Sequence, residues 1–484
     1  MNFKDSNLTL LVDFYEITMA HGYFENDMAD QIAYFDLYFR RVPDDGGFAI
    51  MAGLQQLIDY LNNLYFTEDD IQYLREKDLF SENFLNYLKD FKFSCDVYAI
   101  PEGTPIFANE PLVTIKGPII QAQFIETMAL LCINHQSLIA TKSNRIVRAA
   151  KGRPVIEMGA RRAQGSDGAI LGARAAYIGG CHGTACTISD REFGVPALGT
   201  MAHSWVQSFD TEYEAFKRYA NLYPTNCTLL VDTYNTLAQG IPNAIKVLKE
   251  EVIAKGYPQG AIRIDSGDAA YLSKKARKML DEAGLTETKI VISNSLDEYI
   301  IKDLLIQKAP IDSFGVGERL ITSKTEPVFG GVYKLVAIEK ENKMIPKIKI
   351  SSNIEKITNP GYKQVHRLFD CDTKKAIADV ITLASEVIDD SQPYTIFDPT
   401  HTWKRKQITN FYSKPLLQPI FINGKQVYES PSLEEIVTYS KEQIQTLWEE
   451  VLRFEKPHHY YVDLSQDLWN LKTSLLEKYA SKNN

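Results

Sequence analysis

The chain has 484 residues, more than one hydrophobic core usually holds, so about two or three domains are expected, or fewer if one is a large α/β barrel. Its formal charge of −9 disfavours nucleic acid as the main partner, and no apolar run reaches the ~18 residues that a membrane helix needs. The six cysteines form no CxxC pair, so no metal site made by the protein alone is predicted. The first residues lack the pattern of a signal peptide, and a cytoplasmic location is predicted.

Residues 1–125 predict a mixture of helices and antiparallel strands. The tract FTEDDIQYLREKDLFSENFLNYLKDF has the apolar spacing of helices, whereas PIFANEPLVTIKG is turn-rich and alternates like a small β layer. We therefore assign residues 1–125 to an α+β domain that is separate from the segment after it.

The middle of the chain, residues 126–350, predicts a parallel sheet. Short runs rich in Ile and Val, which indicate strands, alternate with stretches of helical spacing that often end in Gly. Repeated βα units of this size form a parallel sheet, either closed as a barrel or open and doubly wound. The predicted strands are PVIE (154–157), CTLLV (227–231), AIRI (261–264), KIVIS (289–293) and IDSFGV (311–316).

The last segment, residues 351–484, predicts more strands and a closing helix. The strands are expected at QVHRLFD and KKAIADVITL, a polar loop near 388–410, and the helix in SLEEIVTYSKEQIQTLWEEVLRFE. Residues 351–484 can pack with residues 1–125 as one discontinuous domain around the central segment.

Polar residues follow the predicted strands of the central segment. Asp232 comes after CTLLV, and Asp265 and Asp268 flank Ser-Gly after AIRI. Ser293 and Asn294 come at the end of KIVIS. The carboxyl ends of parallel strands are where barrels build their active sites, although each of these residue types is also a common helix cap. Several such junctions in series, with the acids doubled in DSGD, favour a site.

Two glycine-containing segments are candidates for binding an anion. In FGVGERL, Gly315 and Gly317 lack side chains, so backbone N–H groups can approach a phosphate, as they often do at late strands of a barrel. A tight turn is the alternative. In MGARRAQG, Arg161 and Arg162 lie beside glycines at a strand end, where a guanidinium can bind two phosphate or carboxylate oxygens. A salt bridge to a neighbouring helix is the alternative there.

Acids and a histidine are the candidates for catalysis. The close carboxylates of DSGD can hold ribose hydroxyls, or a Mg²⁺ ion that is itself bound to phosphates. His203, in GTMAHSWVQSF, is one of eight histidines and lies near Trp205. Histidine is the usual carrier of protons and phosphoryl groups, yet a packed, hydrogen-bonded side chain is the more common use of such a residue. The residues alone leave both alternatives open.

An ordered set of motifs runs along nearly the whole chain: LLVDFYEITMAHGYF, YFDLYFRR, MGARRAQGSDGA, GTMAHSWV, LLVDTYNT, IRIDSGD, FGVGERL, GGVYKLV and NPGYKQVHRLFD. This set resembles nicotinate phosphoribosyltransferase, of the type II phosphoribosyltransferase family. The resemblance implies an irregular (β/α) barrel, a second α+β domain built from the chain termini, and a homodimer with shared active sites. It also implies that nicotinate and phosphoribosyl pyrophosphate form nicotinate mononucleotide and pyrophosphate in NAD salvage, with ATP as co-substrate.

The resemblance further implies roles for individual residues. His203 matches the histidine that ATP phosphorylates and water then discharges, and a neutral imidazole is a competent nucleophile for that step. Tyr15 matches the aromatic residue that reaches across the dimer to stack on the pyridine ring. Arg161 matches an arginine that contacts phosphoribosyl pyrophosphate, whose leaving group Mg²⁺ would stabilise. The other expected site residues are Arg263, Asp265 and Asp232 near base and ribose, Asp268, Ser204 and His182 at the substrate, and Gly315, Gly317, Ser293 and Asn294 at the phosphate.

One motif departs from the family pattern. Relatives are expected to have a sequence like GGxDGTSN, whereas this chain has GGCHGTAC, with His182 in place of the acid. An acid here helps nicotinamide-using relatives to recognise the amide, so His182 is compatible with nicotinate. Drift in a loop is the alternative.

Other functions remain open at this stage. The same chemistry with nicotinamide is the nearest of them. A sugar-phosphate aldolase explains the glycines of FGVGERL, but it gives His203 no role and needs a Schiff-base lysine, which none of the predicted strands has at its end. A non-catalytic metabolite sensor or scaffold would be expected to have lost DSGD, Arg161 or His203, and all are present.

Overall fold

The computed structural model describes residues 7–353 and 356–480, and it divides into two compact units. Unit 1 comprises Met1–Leu138 and Val328–Asn484. Unit 2 comprises Ile139–Pro327. The chain therefore leaves unit 1 for a contiguous central segment and then returns to it.

These boundaries differ from the predicted ones at 125/126 and 350/351. The first differs because the helix Glu126–Ala149 begins directly after the predicted boundary, and its first part, up to Leu138, belongs to unit 1. The second differs because Gly331–Lys340, which follows the sheet of unit 2 in sequence, pairs antiparallel with Ile32–Phe39 of unit 1. Pairing between distant segments, which sequence spacing does not indicate, decides where this strand belongs.

Strands form the sheets of unit 1 and the centre of unit 2. In chain order they are β1 (Ile32–Phe39), β2 (Ala49–Ile50), β3 (Asp96–Ala99), β4 (Pro105–Ile106), β5 (Val113–Pro118), β6 (Val155–Glu157), β7 (Gly183–Thr184), β8 (Thr228–Leu230), β9 (Ala261–Ile264), β10 (Lys289–Ile292), β11 (Ser313–Val316), β12 (Gly331–Lys340), β13 (Lys343–Pro346), β14 (Lys363–Asp370), β15 (Ala376–Leu383), β16 (Tyr394–Phe397), β17 (Arg405–Ile408), β18 (Phe411–Pro415), β19 (Gln418–Ile422), β20 (Lys425–Gln426) and β21 (Val462–Leu464).

The helices vary from one turn to more than six. In chain order they are α1 (Phe14–Glu25), α2 (Leu54–Asn62), α3 (Glu68–Arg75), α4 (Glu82–Lys89), α5 (Ile119–Gln123), α6 (Glu126–Ala149), α7 (Gly165–Ile178), α8 (Thr187–Phe193), α9 (His203–Gln207), α10 (Glu212–Leu222), α11 (Ile241–Val247), α12 (Ala269–Glu282), α13 (Glu298–Ile306), α14 (Glu318–Ile321), α15 (Leu433–Gln445) and α16 (Gln466–Ala480). Within the described ranges, none of them combines the length and the apolar character needed to cross a membrane.

Unit 1 is built on a seven-stranded antiparallel sheet in the order β13-β12-β1-β5-β3-β19-β20. Strands β1, β3 and β5 come from the first part of the chain, and the other four come from the last part. Phe35 on β1 stacks on Tyr333 of β12, with ring centroids 4.9 Å apart, so the two chain ends share one apolar core. The predicted second domain, built from the N- and C-terminal segments, is thereby confirmed.

Two details of unit 1 refine the sequence prediction. The single helical tract FTEDDIQYLREKDLFSENFLNYLKDF forms two helices, because Thr67 caps α3 and Ser81 caps α4 through their side-chain oxygens. The predicted polar loop near 388–410 contains the antiparallel hairpin β16–β17. Ile396 and Ile408 anchor this hairpin in a small apolar cluster beside β14 and β15.

Unit 2 contains a six-stranded parallel sheet in the order β7-β6-β11-β10-β9-β8. Helices of the βα connections, such as α12 between β9 and β10, flank it. All five predicted strands of this segment are present, and the α/β class is confirmed. No ladder joins β7 to β8 among the described residues, so the sheet is not closed by hydrogen bonds.

A fully buried ion pair lies in unit 1 between the two strands β14 and β15. Arg367 donates two hydrogen bonds to Asp379, of 2.8 and 2.6 Å, and a third to the Pro105 carbonyl. Tyr460 donates to the same carboxylate at 2.9 Å. Burial, and then the nearby Asp379, raise the pKa of Glu110 well above its usual value, so Glu110 stays protonated and leaves Asp379 as the partner of the guanidinium.

We expect Asp379→Asn to lower the free energy of unfolding by about 3 kcal/mol, because removing one partner leaves an uncompensated buried charge. Urea unfolding of the purified variants measures this. Glu68→Gln is the control, since Glu68 pairs with Lys89 at the surface, where the side chains are 72% and 51% exposed, and no measurable change is expected. Equal stability of Asp379→Asn and wild type would contradict the prediction.

Candidate functional site

The carboxyl ends of β8, β9 and β10 carry the polar residues that the sequence indicated. Asp232 lies two residues after β8, Asp265 directly after β9, and Ser293 directly after β10. Because the three strands are parallel neighbours, their carboxyl ends meet at one edge of the sheet. This edge is the candidate active site.

Asp265 is fixed by a closed set of hydrogen bonds. The Ser293 hydroxyl donates to Asp265 Oδ1 at 2.6 Å, and Arg263 Nη2 donates to the same oxygen at 3.2 Å. Arg263 Nε in turn donates to Ser293 Oγ at 2.7 Å. Since Arg263 is only 14% exposed, its charge compensates the acid in a partly dehydrated setting.

Asp232 lies against Asp265 through the backbone. Asp232 Oδ2 accepts from the Asp265 backbone N–H at 2.9 Å and from the Ser266 hydroxyl at 2.6 Å. Its other oxygen, Oδ1, is buried and has no hydrogen-bond partner among the described residues. A buried carboxylate oxygen that lacks a donor is available to a ligand that brings positive charge.

His203 begins α9 and touches both neighbouring strand ends. Its Nδ1 lies 3.1 Å from Thr233 Oγ1, and its Nε2 lies 3.8 Å from Asp265 Oδ2. Nδ1 is therefore within hydrogen-bond distance of the hydroxyl, whereas Nε2 approaches the carboxylate at a distance longer than a hydrogen bond. The imidazole is 39% exposed, which leaves it accessible from solvent. The arrangement suits a nucleophile held by an acid.

Two threonines of the site were missed by the sequence analysis. Thr233 holds His203, and Thr200 accepts a 3.0 Å hydrogen bond from Arg263 Nη1. Both lie inside motifs that were recognised, LLVDTYNT and GTMAHSWV, but a threonine has no spacing signal that indicates its partner. Only the folded neighbourhood identifies them.

Other predicted residues of this edge have more ordinary surroundings. Asp268 caps α12 by accepting from the Tyr271 N–H at 2.7 Å, which was the alternative considered for it. Ser204 and Asn294 are exposed. Gly315 lies within β11, where a Cβ atom would come 2.6 Å from Met158 Sδ, so packing alone requires glycine there.

The turn after β11 faces the turn after β6. A Cβ atom on Gly317 would lie 3.2 Å from the Met158 carbonyl oxygen, so the two backbones approach closely. Arg161 and Arg162 follow in a single 3₁₀ turn, Ala160–Arg162, and both are exposed. A cleft of about 420 Å³ opens here, and it is lined by Arg162, Gln164, Glu318, Thr322, Lys324 and Pro327. Lys324 is paired with Glu318 at 2.8 Å, so Arg161, Arg162 and the glycine turn are the groups that make this end suited to an anion.

His182 precedes β7 and is exposed, and its backbone N–H donates to the Val155 carbonyl at 2.8 Å. In the register of β6 and β7, Thr184 pairs with Glu157 at the end of the sheet. His182 is therefore set back from the edge that Thr184 reaches.

Tyr15 belongs to unit 1, on α1, and is 43% exposed. Burial of its hydroxyl, and then the Glu126 carboxylate beside it, raise its pKa, so it stays neutral. Further apolar side chains of the same segment are exposed, namely Leu11 (44%), Phe14 (47%) and Met19 (37%).

Metal ligands are sparse in the parts of the chain that the structure describes. Residues 7–353 and 356–480 contain no group of three or more His, Cys, Asp or Glu side chains placed to hold a metal ion. Asp232 and Asp265 supply two carboxylates, which suffice for Mg²⁺ only when phosphate oxygens and water complete its shell.

Models of known protein families match most of the chain. Three family models match: the nicotinate phosphoribosyltransferase N-terminal domain at residues 10–134, the nicotinate phosphoribosyltransferase family at 154–378, and the corresponding C-terminal domain at 362–472.

Individual relatives agree with these models. Nicotinate phosphoribosyltransferase of Bacillus subtilis is 44% identical over 480 residues, which covers 99% of this chain and 97% of the relative. Nicotinate phosphoribosyltransferase of Homo sapiens is 30% identical, and the match covers 96% of this chain and 96% of the relative. The crystal structure of human nicotinic acid phosphoribosyltransferase superposes with a TM-score of 0.85, at 28% identity, over 96% of this chain and 99% of the other.

The parallel sheet has acids, an arginine and glycine turns along its carboxyl edge. This arrangement and the matches together define an enzyme of the phosphoribosyltransferase class. The chain belongs to the nicotinate phosphoribosyltransferase family. The resemblance inferred from the motifs is confirmed.

We expect Arg263→Lys to lower kcat/KM for phosphoribosyl transfer about 10–100-fold, because one ammonium cannot replace the bonds to Asp265, Ser293 and Thr200. Steady-state kinetics measure this. Arg277→Lys is the matched control, since Arg277 on α12 also bonds three groups, one of them at the amino end of β10 rather than at the carboxyl edge of the sheet. An equal loss in both variants would contradict a specific role for Arg263.

Proposed function

We propose that the protein forms nicotinate mononucleotide and pyrophosphate from nicotinate and phosphoribosyl pyrophosphate, and that ATP hydrolysis drives this reaction through a phosphorylated His203. The reaction would serve NAD salvage in the cytoplasm. The observation that carries the proposal is the position of His203, between Thr233 and Asp265 at the edge where the acids converge. Family membership supports the two substrates.

The acids are suited to the glycosidic step. The C1′–oxygen bond to pyrophosphate breaks as the pyridine nitrogen bonds to C1′, so positive charge develops on the ribose ring. Asp265, held by Arg263 and Ser293, and the unpartnered Oδ1 of Asp232 can stabilise that charge without moving. Asp268 and Ser204, on the first turns of the helices beside them, would contact the ribose or its hydroxyls.

The same two carboxylates fit a Mg²⁺ ion that arrives with phosphoribosyl pyrophosphate or ATP. Within residues 7–353 and 356–480, Asp232 Oδ1 has no hydrogen-bond donor, and the imidazole of His203 lies 3.8 Å from Asp265 Oδ2. Hard oxygen ligands of this kind are those that Mg²⁺ prefers alongside phosphates. When bound, the ion would neutralise charge on the leaving pyrophosphate.

His203 is suited to carry the phosphoryl group. The neutral imidazole would attack the γ-phosphorus of ATP through a ring nitrogen, so that the N–P bond forms as the bond to the ADP oxygen breaks. Water would later cleave the N–P bond and release phosphate. The added charge lies next to Asp265, so phosphorylation can change how the site holds a second anion.

The phosphate end of the substrate would lie at the β6 and β11 turns. Gly317 offers backbone close to the opening, and Arg161 and the neighbouring cleft offer positive charge. Asn294 is exposed at the adjacent strand end, whereas the Ser293 hydroxyl is engaged with Asp265. Gly315 supports this end by packing on Met158.

The base would bind between two subunits of a homodimer. Tyr15 would stack on the pyridine ring, and Arg263 or His182 of the partner's sheet would face its carboxylate. Exposed apolar side chains at Leu11, Phe14 and Met19 beside Tyr15 support burial of this surface in a dimer.

The first test crosses nicotinate against nicotinamide, with and without ATP, for wild type and His203→Ala, in a product assay with phosphoribosyl pyrophosphate and Mg²⁺. We expect product from nicotinate, raised by ATP in the wild type and not in the variant, together with acid-labile phosphate on the wild type alone. His459→Ala, at an exposed histidine of unit 1, is the control and should keep the ATP effect.

Equal ATP stimulation in wild type and His203→Ala would remove the phosphohistidine role and leave the histidine as a packed side chain. Product from nicotinamide alone would favour the amide-using reaction. No product from either base would favour a sensor or scaffold.

A mixing experiment tests the shared site. Tyr15→Ala and Asp265→Asn should each be inactive, because each removes one half of every site. After the two are unfolded and refolded together, half of the dimers are mixed, and each of these has one intact site. About a quarter of wild-type activity is therefore expected. Each variant refolded alone is the control, and no recovery in the mixture would contradict sites built from two subunits.

A further inference from the structure

Glu157 is a buried carboxylate at the end of β6 for which the proposed reaction has no use. Its side chain is 0% exposed, and no Lys or Arg pairs with it in the described parts of the chain. Burial raises its pKa. A buried acid without a cation is costly, so its hydrogen bonds must compensate.

Both carboxylate oxygens are used to hold turns at the edge of the sheet. Oε1 accepts from the Gly159 backbone N–H in the turn after β6. Oε2 accepts from the Thr184 hydroxyl at 2.6 Å, and Thr184 Oγ1 in turn accepts from the Cys186 N–H at 2.9 Å where α8 begins. One side chain therefore ties the turn after β6 to the turn after β7.

The turn after β6 is also locked against the turn after β11. The Met158 N–H donates to the Val316 carbonyl at 2.8 Å. A Cβ atom on Gly159 would lie 2.7 Å from the Gly317 carbonyl oxygen and 2.6 Å from Ile321 Cβ. With so little free space, a shift of Gly159 must move Gly317 or the 3₁₀ turn that carries Arg161.

We propose that Glu157 is a positioning residue, which holds Arg161 and the Gly317 turn in place for the phosphate end of phosphoribosyl pyrophosphate. This inference rests on the proposed function, because it takes that end of the substrate to lie there. Glu157 itself touches no reacting atom. Its effect is transmitted through Gly159, which it bonds directly.

The test compares Glu157→Ala, Glu157→Gln and Thr184→Val with wild type, by steady-state kinetics with each substrate varied in turn. For Glu157→Ala we expect KM for phosphoribosyl pyrophosphate to rise about tenfold, because Gly159 and Thr184 lose their acceptor, while kcat and KM for nicotinate stay within about twofold. Glu157→Gln should stay within about threefold in every constant, since its amide can accept from Gly159 and donate to Thr184.

Glu298→Gln is the matched control. Glu298 is also 0% exposed in unit 2, but it bonds Lys142 and Arg145 of α6, at 2.8 and 2.9 Å, rather than the turns after β6 and β7. We expect it to lower the melting temperature without changing the ratio of the two KM values. If Glu298→Gln changes the ratio of the two KM values as much as Glu157→Ala does, the effect comes from a general loosening of the fold of unit 2, and the proposal is overturned.

Other outcomes are equally decisive. If KM for phosphoribosyl pyrophosphate is unchanged in Glu157→Ala, the proposal is overturned. It is also overturned if kcat, KM for phosphoribosyl pyrophosphate and KM for nicotinate all worsen by the same factor. If that variant does not fold, a selective rise in Thr184→Val with Glu157→Gln near wild type supports it, and no rise overturns it. Calorimetric titration with phosphoribosyl pyrophosphate separates the positioning role of Glu157 from the proposed reaction with nicotinate. Weaker binding to Thr184→Val than to wild type supports the positioning role even if the wild type proves inactive with nicotinate.

Discussion

The site depends on keeping two carboxylates, Asp232 and Asp265, next to each other at the edge of a sheet. Like charges repel, and here a backbone N–H, two hydroxyls and one guanidinium counter that repulsion. The donors come from β9 and β10 and the connections after them, so the parallel pairing of the strands is what brings them together. His203 is added from α9, and its imidazole meets Asp265 on the side that Arg263 does not occupy.

Much of unit 2 could be predicted because its strands are short runs rich in Ile and Val, and the runs CTLLV, AIRI and KIVI are each followed by a polar residue. Runs such as AIRI and KIVI have few alternatives to a buried parallel strand, and the residue after each must then lie at the carboxyl edge. β7 could not be predicted, since two residues show no periodicity. Thr200 and Thr233 escaped for another reason: their importance comes from the partner, and the partner is distant in sequence.

The same residue types serve both structure and chemistry at this edge, which is why single positions were ambiguous. Asp268 is a helix cap, and Ser293 and Asp265 hold each other, yet the three lie together at the strand ends. Gly315 is fixed by packing on Met158, while Gly317 lies at the opening. A sequence motif shows that glycine or aspartate is present at a position. It does not show whether packing, helix capping or the chemistry of the site requires that residue.

The antiparallel sheet of unit 1 has a consequence for how the chain is made. β1 pairs on one side with β5, which is nearby in sequence, and on the other with β12, where Phe35 meets Leu335 about 300 residues later. At ~5–20 residues per second of synthesis, that edge of β1 waits roughly 15–60 s for its neighbour. Unit 2 is contiguous and can fold during this interval, whereas the nascent sheet presents unpaired backbone groups. The newly made polypeptide is therefore most prone to self-association after its first segment has left the ribosome and before β12 has followed.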